Sequence, residues 1–427
     1  MKKAKLEKLD LNLYEEVLPN GLSVYIIPKT NVNGIYATLT TKFGSTTLEF
    51  TPANKKKMIK VPEGIAHFLE HKMFAQKDGK DPFTFYSERG SDSNANTSNY
   101  KTTYLFSGSD FYRENLDYLL DYVQSPYFTD ENVESEKGII NQEISMYSDE
   151  PFWRIYEGLI YNAFNTHPIK YPIAGSIKSV KEVTKENLYD CYNTFYNPSN
   201  MFLVITGAVE PKETLNIINA NQEKKDLKKL DDIKVKSYNE KDSVEKDLEK
   251  IKMDVEISKA GVAYKFNLGK LKNISIQKAK VYLNMLFDIK FGPTSILNEE
   301  LKNSSLTSTG IEVSLINTDK HILAMFMIES NEYDKMIDMI EEEIKNLKIE
   351  EIDFERKKKV RKSSSIYNSD NIYSLNNKIV SNIINYGNVI LDEYKYIDSF
   401  NMAELNYIIE NLDFSNKTTY KVLKNLD

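Results

Sequence analysis

Two of the four histidines in this 427-residue chain stand four apart with a glutamate between them, in the run His67-Phe68-Leu69-Glu70-His71. Pro62-Glu63-Gly64 opens a segment of helical character that continues to about Ala75. On a helix, positions i, i+3 and i+4 share a face, so His67, Glu70 and His71 project together. Neutral imidazoles are good zinc ligands, and two of them one helical turn apart can hold a single ion. A carboxylate beside them can take a proton from water whose pKa the metal lowers toward neutrality. The chemistry expected is metal-assisted hydrolysis.

A catalytic zinc takes three protein ligands plus water, so one ligand has to come from elsewhere in the chain. His167 precedes Pro168 in a loop-like run and is one candidate; a glutamate is the other. A helix expected from Thr129 or Asp130 to about Tyr147, ending before Pro151, carries Glu136 and Glu143 seven residues apart on one face, with Ile140 between them. One of the two can bind the metal while the other holds a ligand from behind. Spacing does not choose between them, and Glu131, Glu134 and Glu150 are open alternatives.

The 63 acidic and 56 basic residues are interspersed and leave a net charge of −7. That distribution lacks the basic footprint a nucleic-acid partner requires. Cys191 is the one cysteine, so no intrachain disulfide and no cysteine-based zinc site can form. It is expected to be a small core residue, and the lack of disulfides fits a reducing compartment. The start, MKKAKLEKLDLNLYEE, has no apolar run or cleavage site of a signal peptide, and no window is long and apolar enough to span a bilayer. The expectation is a soluble, cytoplasmic protein.

Asn20-Gly21 between short apolar stretches reads as a hairpin turn, followed by strands at Leu22–Ile27 and Gly34–Phe43. Residues 94–108 favour one strand, and Asn115–Gln124 has apolar residues at helical spacing. A helix near 184–196 leads into a buried strand, Met201–Gly207. The stretch 222–250 is dense in Lys, Glu and Asp and reads as a connection, or otherwise as an exposed helix face with solvated charges. Beyond it the rhythm returns: strand 262–266, helix 275–289, strands 311–316 and 321–327, helical patterns at 331–347 and 351–386, then helix 402–411 and strand 417–424. The architecture expected is α+β, one domain type used twice, each a mostly antiparallel sheet packed by helices. Its divisions are 1–221, a charged connection 222–250, and 251–427 without the metal motif.

His-x-x-Glu-His is the inverzincin order, and the surrounding residues resemble the pitrilysin–insulinase–mitochondrial processing peptidase family. The resemblance spans most of residues 18–210. It is carried by Asn20-Gly21-Leu22, Gly44-Ser45, Gly64 through His71, Gly90, Asn94-Ala95-Asn96-Thr97, Pro126-Tyr127-Phe128, Glu136 through Glu143, Asp149, Pro151, His167-Pro168 and Gly175. The pattern is most similar to the small bacterial YmfH-like branch, whose members keep the metal site and occur with a catalytically silent sister. The resemblance implies one Zn2+ held by His67, His71 and Glu143. It implies Glu70 as catalytic base, Glu136 as catalytic support, and Asn94, Ala95 and Thr97 as substrate-binding positions on an edge strand. It also implies a LuxS/processing-peptidase-like metallohydrolase fold, and a zinc metalloendopeptidase acting on peptides or unfolded segments by Glu-assisted attack of a zinc-bound water.

In full-length relatives the second half supplies an arginine and, seven residues on, a tyrosine that grip substrate. Here Lys302 and Thr309 stand at those places, and the only arginines after residue 250 are Arg356 and Arg361, neither with a tyrosine seven residues later. This implies a partner chain that donates those groups, either a homologous metal-free sister or a second copy. The competing class is a non-catalytic structural or binding subunit that retained a metal site.

Overall fold

The computed structural model describes residues 1–230 and 232–425. The first sheet contains β1 (Lys2–Leu6), β2 (Leu11–Val17), β3 (Ser23–Pro28), β4 (Ile35–Thr41), β7 (Asp92–Thr97), β8 (Thr102–Gly108) and β9 (Met201–Gly207), in the order β1-β2-β3-β9-β4-β8-β7. A short pair, β5 (Glu49–Phe50) and β6 (Ile59–Lys60), stands apart from it. The second sheet contains β10 (Leu248–Met253), β11 (Lys259–Asn267), β12 (Glu312–Asn317), β13 (His321–Glu329) and β14 (Lys417–Lys424), in the order β10-β14-β11-β13-β12. Each sheet has one parallel pair, β3·β9 and β10·β14, and the pairs that follow it in the order are antiparallel. The five strands β3-β9-β4-β8-β7 of the first sheet and all five of the second therefore share one topology. This is the α+β fold used twice.

The chain packs as two compact units, and each is discontinuous in sequence. One comprises Met1–Ile144, Pro172–Ser237 and Ser363–Tyr394; the other comprises Ser145–Tyr171, Tyr238–Lys362 and Lys395–Asp427. The expected divisions at 221 and 250 run in sequence order, and β10 starts at Leu248, inside the expected connection, whereas packing exchanges a helical segment in each direction. The helix Ile372–Tyr386, late in the chain, lays Leu375, Ile379, Val380 and Ile383 on Tyr25, Ile27, Phe202 and Val204 of the first sheet. Its buried Asn376 accepts from Thr38 Oγ1 (2.7 Å) and donates to the Val204 carbonyl (3.0 Å), which satisfies a side chain that would be costly left unpaired. In the second unit, residues 151–163 lay Ile155, Leu159 and Ala163 on Met325, Met327, Tyr420 and Val422.

Three expectations of local structure are corrected. Residues 94–108 form a hairpin, β7 and β8, because Ser98 N donates to the Lys101 carbonyl (2.8 Å) and turns the chain. The Ser98 and Asn99 carbonyls of the same turn accept from Ser45 N and Thr46 N, and a Cβ on Gly44 would stand 2.4 Å from the Ser98 oxygen. That close approach explains why glycine precedes Ser45. The pattern 351–386 is two helices, Glu351–Asp370 and Ile372–Tyr386, because Asn371 is extended and its side chain caps Tyr373 N and Ser374 N.

The third concerns the charged stretch, whose charges are not all solvated. The Glu240 side chain is 3 % exposed and accepts from the backbone N–H groups of Asn165, Thr166 and His167 and from Lys265 Nζ (2.6 Å), itself fully buried. Burial works against the Glu240 anion, but these donors outweigh it and hold its pKa at about 2. A depressed carboxyl pKa contributes stability that is complete above the unfolded value of about 4.3 and is lost as pH falls toward the folded one. Part of the acid unfolding of this protein is therefore expected between about pH 4 and pH 2. Glu240→Gln leaves the Lys265 ammonium buried without an anion and is expected to cost on the order of 3–5 kcal/mol. Lys265→Met is expected to cost less, because Glu240 keeps its three N–H donors. Chemical denaturation of the variants at neutral pH checks the ranking.

Candidate metal centre

The helix α1 (Ile65–Lys72) starts at Gly64, whose φ of 83° is left-handed. A Cβ there would also stand 2.3 Å from the Ala174 carbonyl oxygen, so both the conformation and the space require glycine. Ile65, Ala66, Phe68, Leu69, Glu70 and Lys72 are buried, and only the His67 and His71 positions stay half-buried. The helical run ends at Lys72, earlier than Ala75. After α2 (Pro82–Ser87) and α3 (Tyr112–Val123), α4 (Asp130–Ser148) supplies the carboxylates. Val133 and Ile140 bury one face of α4, and Glu136 and Glu143 lie on that face.

His67, His71 and Glu143 each offer a ligand atom within 4.8 Å of the other two. His67 Nε2 is 3.6 Å from Glu143 Oε1, and His71 Nε2 is 3.6 Å from Glu143 Oε2. These gaps exceed a hydrogen bond. They are close to the ligand-to-ligand edge of about 3.3 Å that metal bonds of about 2.0–2.1 Å make in a tetrahedral site. His67 Nδ1 is buried without a partner, so no hydrogen bond among the described residues explains this ring as a core histidine. Two imidazoles and a carboxylate are also the donor set of a divalent metal such as zinc. The residues fit the ion.

Burial lowers the His67 pKa to about 4, with the neighbouring His71 acting in the same sense, so this ring is neutral near pH 7. Burial acts on His71 too, but the hydrogen bond from its Nδ1 to Glu136 Oε1 (3.1 Å) and the surrounding carboxylates reverse the sign and raise its pKa. Glu136 also takes Lys72 Nζ at 3.1 Å. Burial raises the Glu70 carboxyl above its ordinary value, against the hydrogen bond donated by Thr97 Oγ1 (2.5 Å). A buried carboxylate of raised pKa is a better proton acceptor than a solvated one.

Thr97 belongs to β7, the outermost strand of its sheet. Residues of β7 alternate between exposed and half-buried: Asp92, Asn94 and Asn96 are exposed, and Ser93, Ala95 and Thr97 face inward. Asn94 is thus on the open face, with its side chain on the Ala95 N–H. The Thr97 side chain is turned onto Glu70 instead.

The other candidate ligands lie elsewhere. His167 Nδ1 accepts from Ile169 N (3.1 Å) in the second unit. Glu131 is exposed, Glu134 pairs with Lys137, and Glu150 caps Phe152 N. Lys302 and Thr309 are both exposed, one near the end of the helix Ile296–Asn303 and the other in the loop before β12. Sequence reasoning missed Lys72, and only a lysine set among Phe68, Leu69 and Met73 on the motif helix could have flagged it.

An α+β repeat thus carries, in inverted His-x-x-Glu-His order, a group of side chains able to hold a metal ion. Residues 60–176 match the Insulinase (Peptidase family M16) domain, and residues 182–362 match the Peptidase M16 inactive domain. The chain is 44 % identical over 305 residues, 70 % of each protein, to the zinc protease YmfH of Bacillus subtilis (strain 168), a protein described as uncharacterized. This chain belongs to peptidase family M16. It is similar to the crystal structure of an M16-like peptidase from Alicyclobacillus acidocaldarius (TM-score 0.92, 29 % identity, 98 % of this chain and 100 % of that one). It shares its fold with the periplasmic protease PqqL from Escherichia coli (TM-score 0.71, 17 % identity), covering 99 % of this chain but 48 % of that one. No helix among the described residues is long and apolar enough to cross a membrane.

Proposed function

We propose that this chain is a zinc metalloendopeptidase and the metal-bearing subunit of a two-chain enzyme. The observation that carries the reading is the convergence of His67, His71 and Glu143 within 4.8 Å, with Glu70 beside them and an unpaired strand edge at β7. The zinc-protease name of the YmfH relative supports the metal. One zinc, when bound, polarises a carbonyl and acidifies water. Glu70 takes the proton of the attacking water and returns it to the leaving amine; its raised pKa suits both transfers. Glu136 orients His71 through Nδ1.

An extended peptide adds to β7 through backbone hydrogen bonds, which selects unfolded segments over folded proteins and makes little demand on sequence. Asn94 and Ala95 line that edge. In the second unit the helix at the place of α1, Ile276–Phe291, carries neither histidine nor glutamate, so the motif occurs once in the repeat. Lys302 and Thr309 stand where substrate-gripping Arg and Tyr are expected, which supports a partner that brings them. PqqL supports the same reading, since this fold accounts for about half of that chain. The match to an M16 inactive domain, residues 182–362, takes in none of His67, Glu70, His71 and Glu143, and their retention argues against a silent subunit.

The purified chain is expected to bind zinc yet turn over unstructured peptides poorly until a homologous, metal-free chain bearing the Arg and Tyr is added. Peptide hydrolysis measured beside light scattering decides it. Fast, chelator-sensitive turnover by a monodisperse monomer overturns the two-chain part. An absence of zinc binding overturns the whole reading.

A further inference from the structure

Lys72 follows the second histidine of the motif and is 3 % exposed. Its neighbours on the same turns, Phe68, Leu69 and Met73, are fully buried apolar residues. An ammonium in such a place is costly unless it is paired. Its partner is Glu136, with Nζ 3.1 Å from Oε2, and the other oxygen of that carboxylate, Oε1, is 3.1 Å from His71 Nδ1. The Glu136 carboxylate is thereby gripped at both ends, and the His71 ring that it orients presents Nε2 to Glu143. Formal charge agrees with this arrangement. Glu70, Glu136 and Glu143 bring three negative charges; a divalent ion and Lys72 together bring three positive ones.

We propose that Lys72 is a positioning residue of the metal centre. It clamps Glu136 so that His71 is held in the orientation that binds the ion. Removing it frees the carboxylate to rotate away from Nδ1, and the ring loses its support. This rests on the zinc reading above.

The test is zinc affinity, measured by chelator competition on the full chain for wild type, Lys72→Met, Glu136→Gln and the double variant, with the thermal midpoint of each metal-free protein alongside. Lys72→Met is expected to weaken zinc binding about 10- to 100-fold, the usual effect of losing a group that supports a ligand histidine. If Lys72 acts through Glu136, the double variant binds no more weakly than Glu136→Gln alone. The double variant, having lost both buried charges, is expected to melt higher than Lys72→Met, which leaves the Glu136 carboxylate without its ammonium, so a loss of zinc affinity in the double variant is not a loss of fold. Wild-type affinity or tighter in Lys72→Met overturns the proposal, as does full additivity of the two losses. Should Lys72→Met fail to fold, unchanged zinc affinity in Glu136→Gln overturns it equally. Failure of wild type to bind zinc is a different result and removes the proposed function instead.

Discussion

Glu70→Gln is expected to keep zinc at the wild-type ratio and to lose about 100- to 10,000-fold or more in peptide turnover. The side chain keeps its size, and its position is set by the buried helix α1 and by Thr97 Oγ1, for which the amide oxygen is still an acceptor. The donor atoms of His67, His71 and Glu143 are untouched. What disappears is a group able to accept a proton and then release it, and the structure places that group where burial raises its basicity. Because Glu70 is asked to serve twice, as base and then as acid, the upper part of the range is expected. Metal analysis and hydrolysis of an unstructured peptide by the same preparation, with any required partner present, are sufficient. Equal hydrolysis by the variant would remove Glu70 from the mechanism.

Glu143→Ala is expected to lower zinc affinity well beyond the about 10- to 100-fold loss assigned to an outer partner such as Glu136. The reason is geometric. Glu143 reaches both imidazoles, its two oxygens each 3.6 Å from an Nε2, whereas Glu136 reaches only the far nitrogen of His71. With Glu143 gone, two ligands remain where three are needed, and no other carboxylate among the described residues stands with His67 and His71 in a group able to hold a metal. Metal titration of Glu143→Ala beside Glu136→Gln checks the order, and a greater loss in Glu136→Gln would exchange the roles of the two glutamates.

These two glutamates show how far the sequence reads and where it stops. Their spacing put both on one face of a helix, but a helix is symmetric under such a shift, and nothing in α4 alone says which turn faces α1. A family resemblance pointed to Glu143; the arrangement of α1 and α4 brings that residue to the imidazoles and leaves Glu136 against Lys72. Thr97 is a second case. Its place in the Asn94–Thr97 run suggested substrate, yet strand alternation in the folded hairpin turns Asn94 outward and Thr97 inward onto Glu70. Glu240 is a third, since a glutamate within a highly charged stretch gives no local sign that three backbone N–H groups and a buried lysine will enclose it.

The sequence by itself determined the motif helix, the two-fold succession of strands and helices, and the three side chains that share one face. All of these follow from short-range periodicity: 3.6 residues per turn, two per strand, and glycine where the backbone must turn left-handed. Only the tertiary structure decided which carboxylate stands beside both imidazoles, which one pairs with Lys72, and which strand edge lies open beside them. Those depend on side chains brought together from positions up to 76 residues apart, His67 to Glu143, and the energy that selects among such pairings comes from burial that no local window contains.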